Sequence, residues 1–382
     1  MKIIHTGDWH IGKLVHGIHM TKDQRYILNN LIKLIEKEKP EILIIAGDIY
    51  DRAIPPVEAV ELLDDILIEI LLKHKVKVIM VSGNHDNPNR LSFANKLFKS
   101  NGLFIIGEIE NEIEPIEIGN TRFYSIPYIE PAIIKEQFNN KEIKCHDDAM
   151  KFIIDKIELD DKYINICINH GFVINGVSTE TSDSVRPLSI GGTEYVNVDC
   201  FEKFDYVALG HLHRPQKVKY DYIRYSGSLL KYSFSESNQN KSVTVLEFDN
   251  NKQFSFNQVS LSVEKDLRII KGTLEELIKE ENYKLANTND YIKVILTDKG
   301  NLMEPMAKLR VVYPNVLQLE REIRVNSGKD IMTAASDGFS KKSDIQLFEE
   351  FYTNMSVDKF EEDKREVMVN IFNNINKERR NR

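Results

Sequence analysis

The sequence predicts an α/β protein in which sheets are layered with helices. Three observations carry that reading. Short apolar runs alternate with helix-period segments through the first half of the chain. Several of those runs are apolar at every position, the pattern of strands buried on both faces. Apolar residues make up 42% and charged residues 29%, which is ordinary globular usage.

Residues 3–5 form the first short run. Over 22–38, Tyr26, Ile27, Leu31, Leu34 and Ile35 fall on one helical face, and Pro40 closes the helix. Residues 42–46 (Ile-Leu-Ile-Ile-Ala) read as a buried strand, 57–73 as a helix and 76–81 as another buried strand. Strands are also expected at 103–106, 122–126, 163–168 and 206–209, then at 223–225, 243–248 and 254–259. Near 264 the character changes. A strand at 267–271 leads into a capping box at Thr273 and Glu276, followed by a strand at 291–297, a helix at 304–312 and a strand at 316–319. Residues 326–343 are polar and read as a linker, and 344–376 return to helical periodicity.

At 382 residues the chain is long enough for about two to three domains. No run approaches the ~18 apolar residues of a spanning helix, and the N-terminus turns polar too early for a secretory core. Cys145, Cys167 and Cys200 form no C-x-x-C pair, which fits a reducing cytoplasm and argues against a disulfide framework or cysteine zinc site. The formal charge of −8 disfavours wholesale wrapping of nucleic acid while leaving room for a local basic groove.

Five polar clusters each follow an apolar run: Asp8-Trp9-His10, Gly47-Asp48-Ile49-Tyr50-Asp51-Arg52, Gly83-Asn84-His85-Asp86, Asn169-His170-Gly171 and Gly210-His211-Leu212-His213. Ligands bind beyond the carboxyl ends of strands in layered α/β sheets, so five strands sharing a sheet would bring all five clusters to one edge. Carboxylate, imidazole and amide oxygen suit manganese, iron or zinc. Two such ions ~3.5–4 Å apart clamp a phosphate and activate water, and need one bridging carboxylate. Singly, each cluster also fits a loop or turn. Together and in this order, they do not.

The order Asp-x-His, Gly-Asp-x-x-Asp-Arg, Gly-Asn-His-Asp, His-Gly, Gly-His-x-His resembles the calcineurin-type metallophosphoesterase superfamily over residues 8–213. The stretches 5–13, 204–216 and 225–236 are similar to the SbcD family of bacterial nuclease subunits, relatives of the Mre-type DNA-repair nucleases. The resemblance implies a four-layer sandwich, two mixed sheets flanked by helices, over 1–262. It also implies a small β/α capping domain at 263–325, a linker at 326–343 and a partner-binding helical tail at 344–382.

The same resemblance places one ion on Asp8, His10, Asp48 and His213, and a second on Asp48, Asn84, His170 and His211, with manganese expected. His85 then contacts phosphate and helps protonate the leaving oxygen, and Asp51 orients His85. Arg52 reads either as a phosphate contact or as a salt-bridge partner, and Trp9 as packing or a base-stacking platform. Lys13 and Arg90 are candidate DNA-backbone contacts, beside the plainer reading of solvated loop charges.

In the tail, Ile345, Phe348, Phe351, Tyr352 and Met355 make one apolar stripe, and Phe360, Val367, Met368, Ile371, Phe372 and Ile375 make another. These either pack back on the body or, as the resemblance implies, grip the coiled-coil root of an SbcC-type ATPase. The implied function is a metal-dependent nuclease subunit that cuts DNA at double-strand ends and hairpins, as a homodimer within a heterotetramer. The rivals are a small-molecule phosphoesterase on the same fold and a DNA-end-binding scaffold with vestigial metal sites.

Overall fold

The structure, a computed structural model, describes residues 1–176, 181–185, 195–249, 251–300, 302–322, 343–355 and 360–380. Two six-stranded mixed sheets form its centre. In the first, Lys2–Thr6, Ile42–Ala46, Lys77–Val81 and Leu103–Ile106 run parallel, and Val243–Phe248 and Phe254–Val259 add antiparallel strands beside Lys2–Thr6. In the second, Thr121–Ile126, Ile164–His170, Tyr206–Gly210 and Tyr220–Tyr225 run parallel between antiparallel edges at Ile116–Ile118 and Gln216–Val218.

The layering follows from the two-residue period of a strand. Along Ile42–Ala46, Leu43 and Ile45 join the core made with Ile27, Leu31 and Ile35 of the Thr21–Glu38 helix. Ile42, Ile44 and Ala46 face the other way, against Ile164, Ile166, Ile168 and Ala208 of the second sheet. Cys167, Val207 and Leu209 then turn outward onto Ala149, Met150 and Ile153 of the His146–Asp155 helix. Helix, sheet, sheet, helix is the result, and a strand apolar at every position is what the two middle layers require.

Several expectations are revised. The five cluster-bearing strands do not share one sheet. Lys2–Thr6, Ile42–Ala46 and Lys77–Val81 belong to the first, Ile164–His170 and Tyr206–Gly210 to the second. Tyr26 is exposed, and Leu28 and Ile32 take its place in the buried face of the first helix. The 57–73 helix is α-helical only over Val57–Ile68 and finishes in a π turn at Glu69–Lys73.

The unit after 264 is a three-stranded parallel sheet, Leu267–Gly272, Tyr291–Leu296 and Val316–Arg321, with its own small core around Ile292, Val294 and Leu309. The capping box forms: Thr273 Oγ1 accepts from Glu276 N at 3.3 Å, and Glu276 Oε2 accepts from Thr273 N at 2.9 Å. Tyr291 OH donates to Asp23 Oδ2 at 2.9 Å and Lys231 pairs with Asp266 at 2.9 Å, joining this unit to the sandwich.

Residues 326–342 of the expected linker lie outside the described residues. The tail forms two helices, Asp344–Met355 and Glu362–Arg380, packed on each other. Phe348 sits 5.7 Å from Phe360 and 6.2 Å from Phe372 between ring centroids, and Tyr352 lies 5.1 Å from Phe360. Phe351, Val367, Ile371 and Ile375 remain exposed at 58%, 58%, 43% and 43%. Among the described residues, no helix is long and apolar enough to cross a membrane.

Candidate metal centre

The carboxyl ends of both sheets meet in one place, and the backbone there is strained to present side chains inward. Asp8, His10, Asp48 and His211 all have positive φ, at 52°, 46°, 50° and 108°. Such conformations cost about 1–3 kcal/mol each for non-glycine residues and persist only where the surroundings enforce them. Here they are enforced by hydrogen bonds. Asp8 N donates to the Gly47 carbonyl at 3.0 Å and His10 N to the Asp48 carbonyl at 2.9 Å. Gln24 Nε2 donates to the His10 carbonyl at 2.7 Å. Asp86 accepts from the backbone N–H groups of Ile49, Tyr50 and Gly83, which lashes the Asp48 loop to the Asn84 loop. Glycine is required where the sheets close: a Cβ at Gly210 would collide with the Ala46 carbonyl oxygen, and one at Gly83 with the Asp48 carboxylate.

Two cups result. In one, Asp8, His10 and His213 are all buried, and His10 Nε2 faces His213 Nε2 at 3.0 Å. In the other, His170 Nε2 and His211 Nδ1 lie 3.0 and 3.2 Å from Asn84 Oδ1. Asp48 stands between them, its Oδ2 3.5 Å from His10 Nε2 and 3.4 Å from His170 Nε2. The Ala46 carbonyl accepts from His170 Nδ1 at 2.9 Å. A carbonyl can only accept, so Nδ1 carries a proton, and Nε2 is the nitrogen turned toward Asp48 and Asn84.

Burial pushes His10 down to about 3. It also pushes His170 down, but there the Asp48 and Asp8 charges outweigh it and hold the group up at about 9. Burial favours the neutral form of Asp48 as well, yet the His170 and His10 charges keep this carboxyl well below its usual range. Asp8 is raised, chiefly by burial. Burial, with the Asp48 charge second, pushes Asp86 up to about 7.

The donor set fits divalent cations. Asp8 Oδ2 is buried with no hydrogen-bond partner, a costly state for a carboxylate oxygen unless it meets a cation. Two imidazole nitrogens 3.0 Å apart, beside two carboxylates, likewise form a ligand array of hard and borderline donors.

His85 lies half-buried beside the first cup, its ring centroid 4.7 Å from that of His10. Its backbone N donates to Asp48 Oδ1 at 2.9 Å. Asp51 does meet His85, but through the main chain: the Asp51 carbonyl accepts from His85 Nδ1 at 2.7 Å. The Asp51 carboxylate instead pairs with Lys13 Nζ at 2.6 Å and lies 3.5 Å from His10 Nδ1. Lys13 is therefore an internal partner of the site, whereas Arg90 and Arg52 are exposed. Trp9 is buried, with Nε1 donating to Thr6 Oγ1 at 3.1 Å, and so is a packing residue.

Gln24, Asp86 and Glu236 support the site, although sequence patterning assigns them no role. Asp86 and Glu236 lie inside the motif-bearing stretches. Gln24 gives no signal, being one polar residue on an amphipathic helix.

Residues 1–215 match the calcineurin-like phosphoesterase family. Residues 263–356 match a family described as the type 5 capsule protein repressor C-terminal domain. The chain is 38% identical over 363 residues to the SbcD subunit of the SbcCD nuclease of Staphylococcus epidermidis, covering 93% of this chain and 94% of that one. Two solved structures align weakly. They are the Plasmodium inner-membrane-complex anchor GAP50 (13% identity, TM-score 0.40, 88% of this chain and 99% of that) and the E. coli phosphoesterase Yfce (14%, 0.29, 69% and 100%).

Proposed function

Because the chain belongs to the calcineurin-like phosphoesterases and within them to the SbcD nuclease subunits, we propose that it hydrolyses DNA phosphodiester bonds at double-strand ends and hairpins with two divalent ions, as the nuclease subunit beside an SbcC-type ATPase. The observation that carries the two-ion reading is the place of Asp48, within 3.5 Å of a histidine in each cup. Asp8, His10, Asp48 and His213 would hold one ion, and Asp48, Asn84, His170 and His211 the other, with manganese, one of the ions that the donor set suits, expected in both. Bound there, the ions supply Lewis-acid polarisation of the phosphate and an ionised water as nucleophile.

The chain's own residues do the rest. Asp48 fixes the spacing of the cups. His85, with Nδ1–H held by the Asp51 carbonyl, presents Nε2 as the atom that hands a proton to the leaving oxygen. Asp51 aligns His10 and neutralises Lys13 with its carboxylate while its carbonyl aims His85.

Residues 1–262 then form the nuclease domain, 263–325 the capping domain and 326–343 the linker. The tail at 344–382 docks the ATPase through Phe351, Val367, Ile371 and Ile375, with Phe348, Tyr352 and Phe372 holding its two helices together. Exposed apolar residues that a homodimer could cover are Val57, Val60, Ile68 and Leu72 on one helix and Phe93 and Leu97 on the turns after Pro88.

A nuclease assay on hairpin duplex DNA, with and without manganese and with and without the ATPase, tests the reading. Manganese-dependent cutting that the ATPase stimulates on duplex ends is expected. Cutting of small phosphodiesters alone would favour the small-molecule rival, and DNA binding without cutting the scaffold.

A further inference from the structure

We infer that Glu236 is a positioning residue for the ion site that contains His213, acting from the far side of the imidazole ring. The inference rests on the two-ion reading and adds to it a residue outside both ligand sets. The Phe234–Glu236 turn carries Glu236 into the interior, where it is fully buried. Its Oε1 lies 3.4 Å from His213 Nδ1. Ser184 Oγ stands between the two, 2.7 Å from His213 Nδ1 and in close contact with Glu236 Oε1. A carboxylate can only accept, so the Ser184 hydroxyl donates to Glu236, and its lone pair is left to accept from His213 Nδ1–H. That order fixes the proton on Nδ1 and leaves Nε2 bare, toward His10 Nε2 at 3.0 Å.

The hold on His213 has a second point. Lys241 Nζ pairs with Glu236 Oε2 at 2.5 Å and donates to the His213 carbonyl at 2.6 Å. Ring and backbone of one residue are thus braced by the two members of one ion pair. Both members are almost inaccessible, with side-chain exposures of 0% and 7%. A buried ion pair is a poor way to add stability, since apolar residues of the same volume do as well or better. Its placement on a single histidine is what gives it a use. The turn also packs against the Leu267–Gly272 strand of the capping unit, so the brace has a rigid support on its outer side.

Manganese titration of the full-length metal-free chain, by calorimetry with electron paramagnetic resonance to count bound ions, tests the inference. The wild type is expected to bind two ions and His213→Ala to lose one. Glu236→Leu combined with Lys241→Met removes both charges together, which spares the fold an unpaired buried ion. Folded by circular dichroism, this variant should bind one ion as the wild type does and the other about 10–100-fold more weakly. Glu236→Gln keeps an acceptor oxygen without the charge and should weaken the same ion by about tenfold. If the double variant fails to fold, Glu236→Gln alone decides. Wild-type affinity at both ions in the folded variants, or equal weakening of both, would overturn the positioning role. A wild type that binds no manganese, or His213→Ala binding like the wild type, would instead overturn the two-ion reading, and this inference with it.

Discussion

In the proposed reaction two neighbouring residues, Asp48 and His85, separate holding an ion from moving a proton. Asp48 Oδ2 lies between the cups, while its Oδ1 accepts from the His85 backbone N–H at 2.9 Å. Asp48→Asn should therefore weaken both ions, and elemental analysis of the purified variant checks it. His85→Gln should retain manganese and lose most turnover, about 10²–10⁴-fold for a removed general acid. Loss of metal by His85→Gln as complete as by Asp48→Asn would show that His85 is a ligand.

His5, outside the clusters, gives a stability prediction. The Leu209 carbonyl accepts from its Nε2 at 3.2 Å, so Nδ1 is bare and accepts from Tyr206 OH at 3.0 Å. Burial holds this histidine down at about 3. The unfolded chain takes up the proton near pH 6.5 and the folded chain does not. The stabilisation is thus complete above 6.5 and is lost progressively as pH falls from there toward 3. Urea unfolding of metal-free protein between pH 6.5 and 5 should show the wild type losing up to ~1.4 kcal/mol per pH unit more than His5→Gln, whose amide can make both hydrogen bonds without titrating. Parallel stability curves would contradict this.

At the scale of elements, the strands were the most legible feature, because a run such as Ile-Leu-Ile-Ile-Ala has no other economical use than a doubly covered strand. The sequence could not say which sheet each strand joins. Ile42–Ala46 and Ile164–His170 are both buried along their whole length, and only their backbone pairing, with Lys77–Val81 for one and Tyr206–Gly210 for the other, divides them between sheets. The proposed metal ligands were legible for the same reason as the clusters: each sits at or just past a strand end. The partners of those ligands were not, since Gln24 and Lys241 reach the site from separate segments and carry no local signal.

The tail extends this division. Phe348, Tyr352 and Phe372 are spent on helix–helix packing, and Phe351, Val367, Ile371 and Ile375 are left outward. Burying each such side chain is worth ~1.5–3 kcal/mol, enough for several together to hold a partner helix. Deleting 341–382 should leave manganese-dependent hydrolysis of a small phosphodiester intact while ending co-purification with the ATPase. Ile371→Glu with Ile375→Glu should do the same without disturbing the inner rings. Normal recovery of the complex would contradict the docking role, and an unfolded truncated core would mean that the tail packs on this chain.

For the whole molecule, the −8 charge is awkward for an enzyme that must hold a polyanion. Weak, salt-sensitive duplex binding by the isolated chain is expected, with tighter binding in complex with the ATPase, and affinities for one duplex at one salt concentration check it. Equal affinities would place the DNA-binding surface on this chain alone. The strained backbone at Asp8 and His10 and the meeting of two sheets at Gly210 bring two sets of proposed ligands against one carboxylate. Anomalous diffraction at the manganese edge from crystals grown with that ion tests this arrangement most directly. Two peaks are expected, one among Asp8, His10 and His213 and one among Asn84, His170 and His211, both in contact with Asp48. A single peak, or a peak among His10, Asp51 and His85, would contradict it.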